Sequence, residues 1–166
     1  MQFNWTAVII STIIPMVMGF VWYNPKTMGK MWMEANGFKE EDMKENFNPV
    51  KVFGLAFIMS FFITIALHPM VIHQWGFMSS LMTGDKGTIP AELTQYVADY
   101  MTNYGKNFRS YGHGALHGLI TSIFLVLPII VTNALFEKRS GKYIFVHWGY
   151  WALCLSLMGA VICGMI

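Results

Sequence analysis

Four stretches of this chain, residues 3–23, 52–72, 112–136 and 143–166, contain no Lys, Arg, Asp or Glu. A bilayer core about 30 Å thick needs about 20 consecutive apolar residues per helix, because no water is present there to satisfy bare peptide groups. Each stretch meets that length, so the expected fold is an all-α membrane protein: one domain over residues 1–166 with four transmembrane helices. Composition agrees, with 55% hydrophobic and only 12% charged residues. The first stretch lacks a basic flank and a small-residue cleavage site and is too long for a signal h-region, so it is expected to remain as a span. A net charge of +2 gives no field able to gather nucleic acid, and that class of partner is excluded. The lipid bilayer itself is the first partner. Cys154 and Cys163, nine residues apart in one apolar run, point to opposite faces of a helix and cannot bridge each other.

Basic residues beside the spans resist translocation and therefore orient the bundle. Lys26, Lys30, Lys39, Lys44 and Lys51 lie in the first connection and Lys138, Arg139 and Lys142 in the third, against Lys86, Lys106 and Arg109 in the middle one. Eight against three places the first and third connections in the cytosol, and the middle connection and both termini outside, in the plasma (inner) membrane of a bacterium. Glu34, Glu40, Glu41, Asp42 and Glu45 sit among those lysines but count for little in this rule.

In the inner connection, Asn24-Pro25 reads as the cap and first turn of a short amphipathic helix with Met28, Met31, Trp32 and Ala35 on one face and Asn36-Gly37 as its stop. Lying flat on the inner leaflet is the common role of such a helix; a docking surface for a partner is the other. Asn48-Pro49 repeats the capping signal one turn before the second span. The outer connection reads as loop through Gly76, Gly84, Asp85 and Gly87, then as helix from Pro90, with Leu93, Val97, Tyr100, Met101 and Tyr104 on one face. Tyr96, Tyr100, Tyr104, Phe108 and Tyr111 make it aromatic, which suits anchoring at the headgroups and also a lid over an outward site.

The residues best able to carry chemistry are histidines. His113 and His117, at i and i+4, place two imidazoles one turn apart on one face of the third span. With His68 and His73 at the end of the second span, four of the five histidines belong to the outer face. Three roles follow: hydrogen bonding between helices, a metal or haem held by His113 and His117, or a proton or ligand relay. The first is the commonest for histidines in membrane helices, and the metalloprotease motif is absent, since Gly114 stands where its glutamate would be. His147 lies at the opposite end, in an aromatic belt with Trp148, Tyr150 and Trp151. Asn133, expected to point into the bundle, and Glu137 form a second candidate ligand-binding pair at the inner end. Pro128 removes the donor for the Phe124 carbonyl and implies a kink, as do Pro15 and Pro69 in their spans. The fourteen methionines form no stripe that would argue for copper.

Small residues recur at spacings of three and four in the fourth span (Gly149, Ala152, Ser156, Gly159, Cys163) and in the third (Gly114, Gly118, Ser122). Such strips let backbones approach closely, which predicts a tight pairing of these two helices and offers any leftover face for a homo-oligomer.

Met18-Gly-Phe-Val-Trp-Tyr-Asn-Pro-Lys26 with Gly29-Lys30 and Trp32 resembles the first signature of the bacterial domain of unknown function 1761 family. Gly114-Ala-Leu-His-Gly118, Leu127-Pro128, Asn133-Ala-Leu-Phe-Glu137, Gly149-Tyr150-Trp151 and Leu157-Met-Gly159 resemble its second. The resemblance implies a multi-spanning membrane protein and supplies no reaction and no site residues. Two functions of different class remain. One is a non-enzymatic homo-oligomer or accessory subunit of a membrane-protein partner. The other is binding or transport of a metal ion or small solute in an outward vestibule of His68, His73, His113, His117 and nearby tyrosines. An enzyme ranks below both, because no nucleophile–base set, phosphate loop or carboxylate pair shares a depth in the spans.

Overall fold

The computed structural model describes residues 3–39, 41, 47–83 and 87–165. Met1, Glu40, Asp42, Lys44, Glu45, Gly84, Asp85, Lys86 and Ile166 lie outside the described residues. Four helical stretches are long and apolar enough to cross a membrane: Trp5–Trp22, Pro49–Val71, Tyr111–Phe136 and Gly141–Gly164. They correspond to the four expected spans. The first, second and fourth are α1, α3 and α8; the third is α6 (Tyr111–Thr121), a π-helical turn (Ser122–Val126) and α7 (Leu127–Phe136). Among the described residues extended pairing is limited to one bridge, between Thr83 and Thr88. The chain is a multi-pass membrane protein.

Each span begins on a side-chain cap that occupies an otherwise orphaned N–H. Asn4 accepts from Ala7, Asn48 from Lys51, Ser110 from His113 and Ser140 from Tyr143. The third span is then re-phased by its proline. Rather than leave the Phe124 carbonyl to clash with the Pro128 ring, the helix widens for one turn, so that the Leu127 N–H reaches back to the Ser122 carbonyl. Trp148 Nε1 donates to that same oxygen at 3.2 Å, tying the wide turn to α8.

Helix α8 is the hub: Val146, Cys154, Leu155, Met158, Gly159, Ile162 and Cys163 are buried along it. Both thiols are free. Lipid tails are as apolar as leucine, so close van der Waals packing and polar contacts must hold the helices together. The two strips of small residues supply this, since they meet each other. A Cβ at Gly114 would stand 2.0 Å from the Gly159 carbonyl oxygen, and one at Gly118 would stand 2.0 Å from that of Leu155. Ser156 and Cys163 of the α8 strip join the same contact, while Gly149 lies against the Trp22 ring. Between α1 and α3 runs a seam of buried hydroxyls. Thr12 Oγ1 donates to Thr64 Oγ1 at 3.3 Å and Thr64 Oγ1 to the Ser60 carbonyl at 2.9 Å, while Tyr150 on α8 donates its hydroxyl to the Pro15 carbonyl at 2.7 Å.

The first and third connections share one end of the bundle. Lys142 pairs with Glu34 at 2.8 Å, Trp22 Nε1 donates to the Val146 carbonyl at 3.1 Å, and Asn36 meets His147 at 3.4 Å. The Lys142 ammonium holds the Glu34 carboxyl below the usual carboxylate range. Here the sequence reading needs correction at Asn24. Asn24-Pro25 does not open the short helix; it makes a tight reversal in which Asn24 accepts from Lys26 N–H, Thr27 caps the end of α1, and α2 (Gly29–Asn36) starts only at Gly29. Glycine is needed there, because a Cβ would stand 2.3 Å from the Tyr23 carbonyl oxygen.

The opposite end carries a second correction. The stretch around Gly76, read as loop, is helix α4 (His73–Leu81), separated from α3 by the extended residue Ile72. Tertiary contacts override its weak propensity. Gln74 is buried and donates to the Tyr104 and Asn107 carbonyls at 3.2 and 3.0 Å, and Phe77 stacks on Tyr100 at 3.7 Å. Beyond it a 3₁₀ turn (Ala91–Leu93) leads into α5 (Thr94–Tyr104); Leu93 in the turn and Val97, Tyr100 and Met101 on the helix are half-buried as their spacing implies, whereas Tyr104, expected on the same face, is exposed.

Candidate metal centre

Three of the predicted histidines come together where α3, α4, α6 and the segment before α6 meet. His73 is the first residue of α4, placed there by the break at Ile72. His113 and His117 lie one turn apart on α6, as their spacing requires. Their ligand nitrogens all lie within 4.8 Å of one another, and the Nε2 atoms of His73 and His113 are 3.0 Å apart. Ring centroids are separated by 5.1 Å (His73–His113), 4.9 Å (His73–His117) and 4.5 Å (His113–His117).

That spacing suits one ion. Imidazole nitrogens 2.0–2.1 Å from a tetrahedral zinc stand about 3.3 Å apart, so small side-chain rotations bring all three into its coordination shell. Without an ion, the short His73–His113 contact is a hydrogen bond in which one imidazole N–H donates to the other's lone pair. The donor set is neutral and all nitrogen. No Asp, Glu or Cys joins the three among the described residues. Imidazole ligands suit zinc, copper, iron and nickel, whereas calcium and magnesium ask for oxygen.

The surroundings hold the site in shape. Phe108, in a left-handed conformation at φ 61°, sets its ring 5.9 Å from that of His73 and 5.2 Å from that of His113. Its carbonyl accepts from the Cys163 thiol at 3.2 Å, and Arg109 Nε donates to the Cys163 carbonyl at 2.9 Å. The guanidinium thus sits at the C-terminal end of α8, where the helix dipole favours a cation. Gln74, next to His73, fixes α4 to the end of α5.

The other candidate residues go elsewhere. His68 is 2% exposed and turned into the bundle; its Nδ1 donates to the Thr64 carbonyl at 2.8 Å and its ring packs edge-on to Phe3 at 4.8 Å. It is therefore not part of the cluster, despite lying only five residues before His73. The ring against the histidines is that of Phe108 rather than of a tyrosine: Tyr100 is stacked on Phe77 and Tyr111 lies over Gly164. Asn133 does not point into the bundle. It is exposed, because the inward-facing position of that turn of α7 falls on the buried Ala134 and leaves Asn133 on the outer side of the helix. The Glu137 carboxylate pairs with Arg139 at 3.2 Å, and Glu137 meets Asn133 through its backbone N–H, which donates to the Asn133 carbonyl at 2.9 Å. His147 stays at the far end, against Tyr143.

The sequence named Phe108 only as one ring of an aromatic connection and Arg109 only as a charge, and gave no sign of Gln74. A left-handed phenylalanine carries no sequence signal; an Arg just ahead of a span with so few charges was the one available hint.

Residues 6–163 match a family model described as a protein of unknown function, DUF1761. No curated protein and no solved structure matches the chain.

Proposed function

This chain belongs to the DUF1761 family, and we propose that it is a non-enzymatic protein of the bacterial inner membrane that binds a late first-row transition-metal ion, such as Zn²⁺, through His73, His113 and His117. One observation carries this reading: three imidazoles from two helices converge to within 4.8 Å. The basic residues Lys26, Lys30, Lys138, Arg139 and Lys142 mark the opposite end as cytosolic, which puts the histidines and both termini on the outer side. A haem takes one or two axial imidazoles on opposite faces of a plane and is a poorer match to three nitrogens gathered at one point.

Metal binding is favoured over a purely structural oligomer or accessory subunit, because the small-residue strips that would serve self-association are filled within one chain. A membrane-protein partner would have to use the lipid-facing side chains instead. The test is metal content after zinc loading in detergent and removal of loosely held ion on a chelating resin. Near-stoichiometric zinc in the native protein, lost in H113A/H117A, supports the proposal; equal zinc in both proteins ends it.

A further inference from the structure

Resting on the reading above, we infer that the ion's fourth position is open and takes a small anionic ligand, a carboxylate or an inorganic monoanion. Three imidazoles bring no charge, and no carboxylate or thiolate completes the set among the described residues, so a divalent ion held there keeps its full charge. His73 is the first residue of nine-residue α4, whose N-terminus has no side-chain cap, and His113 lies in the first turn of α6. The N-termini of α4 and α6 reach the cluster, and the C-terminal ends of α3 and α8 lie beside them, so the charge left to be balanced there is the ion's own. An ion with three neutral ligands rewards a negative fourth one. The site is also reachable, since His73 is exposed and Phe108, its neighbour, is 66% exposed.

The experiment uses the full-length protein in detergent loaded with Co²⁺, whose visible bands are intense in four-coordinate sites and pale in water. Sodium azide, sodium acetate and acetamide, the neutral counterpart of acetate, are titrated in turn. Azide and acetate are expected to shift the bands with saturation, acetamide is expected to leave them in place, and H113A/H117A is expected to show no response. Strong cobalt bands that ignore both anions would overturn the open position while leaving the metal site standing. A shift by acetamide equal to that by acetate would overturn the preference for charge. Cobalt that keeps its pale aqueous spectrum would remove the metal site and this inference together.

Discussion

Replacing Gly118 by alanine tests the packing that positions the metal centre. The new Cβ would stand 2.0 Å from the Leu155 carbonyl oxygen, 2.5 Å from the Leu155 carbonyl carbon and 2.9 Å from the Ser156 Cα. Ordinary contact begins at 3.4 Å, and all three atoms belong to backbone, so no side chain can swing away. Helices α6 and α8 must part by about 1.4 Å, stripping dispersion contacts along the seam; overpacking of this kind costs about 1–3 kcal/mol, and a rigid backbone neighbour puts G118A at or above the upper end. About 3 kcal/mol is roughly a hundredfold in the folded-to-unfolded ratio. The assay is tryptophan fluorescence during denaturant titration in mixed micelles. G54A is the control: a Cβ there meets nothing within 4 Å, so alanine in the second turn of α3 should be neutral or stabilise by up to about 1 kcal/mol. Because α6 carries His113 and His117, G118A should also weaken zinc retention more than G54A does. Equal midpoints for the two variants would refute the close α6–α8 contact and with it the placement of the histidines.

The buried His68 gives the opposite pattern: H68A should lower stability by about 2 kcal/mol through loss of its hydrogen bond and its packing on Phe3, yet leave zinc stoichiometry unchanged. W148F removes the donor to the Ser122 carbonyl and should cost about 1 kcal/mol in the same titration, with no cost if the wide turn is held by other contacts. Glu34 has its carboxyl held down by Lys142, so its contribution is present above the ordinary carboxylate pKa and disappears as pH falls through the lower folded value. Native protein and E34Q should therefore differ slightly at neutral pH and low salt and converge in acid; the ion pair is exposed, so added salt should also erase the difference.

Much of this fold is local physics and was legible in the chain. Span length follows from the bilayer's thickness and from the exclusion of charge, which any window of 20 residues reveals. The pairing of the third and fourth spans was also readable, because glycines at Gly114, Gly118 and Gly159 serve one purpose in a medium without a hydrophobic drive between helices. The i, i+4 geometry of His113 and His117 is a property of one helix and needed no partner. What the chain did not reveal depends on contacts between segments distant in sequence. Whether Gly76 lies in a loop or a helix was decided by Gln74 and Phe77 finding partners on α5. Whether His68 or His73 joins the pair on α6 was decided by one extended residue, Ile72, which sends the two side chains in different directions. Periodicity reports which residues share a face of one helix; where that face points, and what meets it there, is settled only when the other helices have taken their places.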